Sequence, residues 1–100
     1  MNERYGRTPY NPIQLNSIVA SRMFLDNLVN AVGYHILYHR RGSFARSGDG
    51  TIIDHYEIMS TDNHYDDFYI NIHNETNEWI PLDGFLFEDV SGLNQIGTIS

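Results

Sequence analysis

From Pro12 to Val32 the apolar side chains recur at helical spacing, and from Tyr34 onward they recur at every second residue. At about 100° per residue, Leu15, Ile18, Val19, Leu25, Leu28, Val29 and Val32 fall on one wide stripe. The spacing predicts a single long helix over 12–32. Asn11 suits its N-cap, Pro12 its first position, and Gln14 the capping-box partner. Gly33 follows as a residue free to turn left-handed at the C-terminal end. Met23 and Phe24 fall outside the stripe, on an otherwise Asn- and Ala-rich face, so a large apolar pair is left for the N-terminal arm, the tail or a partner to cover. Arg22 falls inside the stripe and is expected to snorkel outward or meet an acid.

The period of two predicts strands. Tyr34, Ile36 and Tyr38 alternate with His35, Leu37 and His39, and Asp49-Gly50 supplies a tight turn into Thr51-Ile52-Ile53, making a long hairpin with a bulge placed at Gly42. Asp67–His73 alternates Phe68, Ile70 and Ile72 with Tyr69, Asn71 and His73. Asn74-Glu75-Thr76-Asn77 reads as a turn, although it contains a glycosylation sequon. Glu78-Trp79-Ile80 and Gly84–Phe87 predict a broken fourth strand or two short ones at a sheet edge, because Pro81 cannot donate to a central ladder.

The fold class these signals predict is α+β: one long N-terminal helix packed on an antiparallel sheet of three to five strands. Residues 1–100 make a single domain, with 1–10 an N-terminal arm and 89–100 a mobile tail or a last short strand.

Composition narrows the chemistry. Thirteen acids against six bases leave a formal charge of −7, which argues against bulk binding to nucleic-acid backbone. Every base is an arginine, so lysine-based Schiff-base chemistry and a P-loop are excluded. The absence of cysteine excludes disulfides, thiolate nucleophiles and cysteine-ligated zinc. The polar N-terminus shows no apolar leader, and no stretch approaches the roughly 20 apolar residues of a membrane span. A cytoplasmic protein that does not engage a membrane is expected.

Three stretches compete to carry chemistry. Odd-numbered sheet positions collect His35, His39, His55, Glu57, Tyr69, Asn71 and His73; His35, His55, Glu57 and His73 have the donor types of a zinc-like divalent metal site, with Glu57 as ligand or general base. An ordinary polar sheet face is the competing reading. The acidic run Asp62–Asp67 lacks the spacing of a calcium loop and reads as solvated. The arginine-containing segment offers Arg40, Arg41 and Arg46 with Phe44 as an anchor for a partner, or else pairs its arginines with acids across the hairpin. Ser43, with His39 or His55 and Asp54, names the residue types of a hydrolase triad, but no nucleophile elbow places the serine.

The function these readings favour is a small acidic, non-enzymatic, protein–protein interaction module needing no cofactor, of the accessory or inhibitory kind that phages also encode. Its expected partner is another protein, met through Arg40, Arg41, Phe44 and Arg46 or through Met23 and Phe24, with a homodimer as one form of the latter. The alternative is a small metal-dependent or acid/base hydrolase built on the histidine-rich face.

Overall fold

The helix is shorter than the period predicts, because its flanks are hydrogen-bonded as strands. In the computed structural model, which describes residues 4–60 and 63–88, the chain runs β1 (Ile13–Gln14), α1 (Ile18–Asp26), β2 (Leu28–Asn30), β3 (Leu37–Ala45), β4 (Ile52–Met59), β5 (Tyr65–Asn71) and β6 (Phe85–Phe87). The N-cap is Ser17, not Asn11: its side chain accepts from Ala20 N–H at 3.0 Å. Upstream of that cap the backbone is already committed. Ile13 and Gln14 pair in parallel with Ile70 and Asn71, Leu15 N–H donates to Asn71 O, and Leu15 and Gln14 carbonyls accept from Asn74 and Glu78. Downstream, the Asn27 side chain and backbone both donate to Met23 O, and Leu28–Asn30 pairs with Phe85–Phe87.

The predicted fold class is therefore corrected. Among the described residues one nine-residue helix accompanies two sheets. The first is four-stranded and mixed, in the order β1-β5-β4-β3, with only its β1–β5 pair parallel; the second is the antiparallel pair β2-β6. A long helix lying on an all-antiparallel sheet is not what the chain forms.

The helix stripe is rotated as well. Ala20, Ser21, Phe24 and Leu25 are its buried residues, whereas Ile18 and Val19 are exposed. Phe24 lies fully inside, stacked on Trp79 at 6.4 Å between ring centroids and edge-on to Phe87 at 5.0 Å. Assigning it to an outer, partner-binding face is thus also corrected, and Met23 beside it is half-buried. The reason is that Trp79 and the second sheet supply a wall that periodicity alone does not reveal. Arg22 is exposed, which resolves its apparent conflict with the apolar stripe.

The main core joins Phe24, Leu25 and Leu28 to Ile13, Leu15, Tyr56, Ile58, Phe68, Ile70 and Leu82. Alternation in β4 and β5 aims Tyr56, Ile58, Phe68 and Ile70 at this core, as the period of two requires. Ile52, which shares that parity, lies half-exposed at the sheet's end. Residues 6 and 7, ahead of β1, are tied to the rest of the chain: Gly6 O accepts from Tyr69 N–H at 2.8 Å, and Arg7 reaches Asp66 and Asp83 O. Gly6 has φ +77°, and a Cβ there would lie 2.4 Å from Leu82 Cδ2, so only glycine fits this approach. The predicted 89–100 tail lies outside the described residues.

Candidate interaction face

The hairpin β3–β4 creates the surface of interest. Its register runs Leu37–Met59, Tyr38–Ile58, His39–Glu57 and Arg40–Tyr56, shifts at a bulge between Arg40 and Gly42, and resumes Gly42–His55 to Ala45–Ile52. β5 continues the rows as Glu57–Asp67, His55–Tyr69 and Met59–Tyr65. Because parity sends Tyr38, Tyr56, Ile58, Phe68 and Ile70 to the core, it sends Leu37, His39, His55, Glu57, Met59, Tyr65, Asp67 and Tyr69 to the opposite face.

That face has two regions. At one end Leu37 and Tyr65, 63% and 67% exposed, flank a shallow depression of about 230 Å³ lined also by Tyr38, His39, Glu57 and Met59. At the other, the His55 ring stacks on Tyr69 at 4.9 Å and Phe44 meets Tyr69 edge-on at 6.2 Å. Ile53 is fully buried there, outside the main core cluster and in register with Phe44. Alternation in the sequence places His39, His55, Glu57 and Tyr69 on this face, whereas Leu37, Met59, Tyr65 and Asp67 are added by the structure. The signal was present in their odd numbering, shared with His39, His55 and Glu57.

The proposed metal ligands do not converge. His35 precedes β3, bridges to Val29 beside the second sheet, and bonds to Glu88 at 2.8 Å. His55 bonds to Asp67 at 2.8 Å, Glu57 meets Arg41 at 3.7 Å, and His73 lies beyond the end of β5. Among the described residues no three histidine or carboxylate groups are placed to hold a metal. The sequence reading extended strand alternation through residue 35, and the turn at 31–36 breaks it.

Of the arginine-containing segment, Arg40 and Arg41 lie in strand β3 and Arg46 directly follows it. Arg40 donates to Asp54 Oδ1 at 3.2 Å, Arg41 pairs with Glu57, and Arg46 pairs with Asp49 while also donating to Pro9 O. These are the cross-hairpin acid pairs that compete with partner binding. Asp54 is the unusual member: its side chain is 3% exposed, and its Oδ2 has no hydrogen-bond partner. The Arg46 hydrogen bond, followed by the Thr51 backbone N–H, holds the exposed Asp49 carboxyl well below the usual carboxylate range.

Tyrosines tie the sheet to its surroundings. Burial, then a hydrogen bond to Asp26, pushes Tyr38 up to about 12. Burial followed by a neighbouring acid also raises Tyr56 through Asp54, Tyr69 through Asp67 and Tyr5 through Glu78. A folded value above the unfolded one means stability is complete below the unfolded value of 10.0 and is lost as pH rises through the folded value. The melting temperature is expected to start falling above pH 10. Tyr38→Phe should soften that fall, and an identical alkaline profile would contradict the assignment.

The fold and face define a small mixed-sheet domain with one sheet face left open among the described residues. No protein-family model, curated protein or solved structure matches the chain. No helix of the described residues is long and apolar enough to cross a membrane.

Proposed function

We propose that the protein is a non-enzymatic protein–protein interaction module, and that its docking surface is the outward face of the four-stranded sheet with the β3 margin. The observation that carries this reading is the exposed cluster of Leu37 and Tyr65 around the depression at Met59. Large apolar side chains gathered on one uncovered face are a feature of binding surfaces, where they become anchors once desolvated. The polar row His39–Glu57–Asp67 beside them supplies a rim that fixes orientation. Arg41 and Phe44 belong to this surface; Phe24 does not.

The test is affinity capture from the native host by the whole chain and by a Leu37→Asp/Tyr65→Asp variant. Both side chains are exposed, so the variant should melt within a few degrees of the parent. A partner held by the parent should be lost by the variant, and hydrogen exchange in the complex should slow along β3 and β4. Undiminished capture by the variant would remove the face from consideration.

A further inference from the structure

β3 is the margin of its sheet. β4 pairs with one side of it, and among the described residues no strand lies against the other. Backbone alternation shows which groups face outward. Arg46 N–H donates to Thr51 O at 2.7 Å, so two residues back the Phe44–Ile53 pair is hydrogen-bonded too. Ser43 and Ala45 between them therefore turn their N–H and C=O groups away from β4. Seven of the nine β3 residues are exposed.

Such a margin is a template for another strand. Proteins commonly blunt it with charge, proline, a bulge or extreme shortness. β3 is nine residues long and free of proline, and its charged groups are two arginines. Its interruption is the bulge between Arg40 and Gly42, beside which both arginines sit.

Charge selects the occupant. β3 carries two arginines and no acid, in a chain of net charge −7. The answering acids, Asp54 and Glu57, lie one strand further in, on β4. An added strand would run about 4.8 Å from β3 and about twice that from β4, so its side chains would meet the guanidinium groups first. A second copy of β3 paired about its midpoint, Arg41, would set arginine opposite arginine, which opposes self-association.

We infer that β3 takes up an extended, acidic segment of another protein by strand addition, its carboxylates meeting Arg40 and Arg41 and an apolar side chain packing on Leu37, at the near side of the depression. This rests on the interaction reading above and narrows it to the partner's conformation and charge.

The experiment uses labelled peptides of Glu, Val and Thr added to the intact chain. Three forms are compared: the parent peptide, one with Arg in place of Glu, and one N-methylated at alternate backbone nitrogens. The parent peptide should bind, with the other two at least about tenfold weaker, and added salt should weaken it. Arg41→Glu should reproduce the loss. Ser43→Pro should as well, with a melting temperature within a few degrees, since the N–H it removes faces outward. If the parent peptide does not bind, or either modified peptide binds equally well, strand addition is wrong. So is it if sedimentation shows a dimer that Arg41→Glu dissolves. A host partner lost on Leu37→Asp/Tyr65→Asp but retained on Ser43→Pro would leave the interaction face standing and overturn strand addition alone.

Discussion

Phe24→Ala is expected to lower stability by about 3–5 kcal/mol, the usual cost of emptying a fully buried phenylalanine site. In a domain of this size that is a loss of more than about 10 °C in melting temperature. Phe24 has no exposed surface, and its ring is walled by Trp79 and Phe87. The two rings come from chain segments far from the helix, so they relax only partly into the space. Val19→Ala is the informative control. Helical periodicity places Val19 in the apolar stripe and Phe24 outside it, yet Val19 is 63% exposed. Its truncation should change stability by less than about 0.5 kcal/mol. Thermal melts of the two variants decide between the stripe and the observed packing; similar costs would reject the packing.

Arg40→Ala is expected to cost about 3 kcal/mol, although Arg40 itself is part-exposed, because of what it leaves behind. Asp54 is buried, Arg40 is its side-chain ion-pair partner, and Oδ2 already has no partner. Removing the guanidinium strands a carboxylate at the edge of the core. In an Asp54→Asn background the same Arg40→Ala change should cost less than about 1 kcal/mol, since no charge remains to be stranded. Denaturant unfolding of the four proteins measures the coupling. Equal costs in both backgrounds would show that Arg40 acts through packing of its stem instead. The same arginine forms part of the margin to which the proposed partner strand would add.

The hairpin was legible in the sequence because one face of it is buried. Tyr56, Ile58, Phe68 and Ile70 alternate with residues that meet water, and a one-residue slip would exchange the faces. The bulge next to Gly42 and the turn at Asp49-Gly50 follow from backbone freedom that local sequence announces. The candidate face was half legible by the same logic. Parity placed His39, His55, Glu57 and Tyr69 together, but their partners depend on register. Asp67 lies opposite Glu57 and bonded to His55 because of how β5 slides against β4. His35 was misplaced because the strand containing His39 begins only at Leu37.

The helix was only partly legible: Leu15, Leu25, Leu28 and Val29 satisfy a 3.6-residue period and are all buried, but three of them, Leu15, Leu28 and Val29, lie outside α1. Burial was read correctly for these residues and secondary structure was not. Ile13 and Leu15 are inward as strand residues, two apart, and Leu28 and Val29 as part of a short sheet. Spacings of two and of three to four overlap over such short segments.

What the sequence by itself determined is local: one buried-face hairpin, its turns and bulge, and an acidic chain without lysine or cysteine. What only the tertiary structure decided is where Pro12–Val32 ceases to be helix and which face of that helix is covered. A backbone hydrogen bond from Leu15 to Asn71 and others from Asn74 and Glu78 hold residues 14 and 15 extended, and Trp79 and Phe87 enclose Phe24. These partners lie more than fifty residues away. A nine-residue helix contributes too little on its own to outweigh strand pairing and ring packing of that kind.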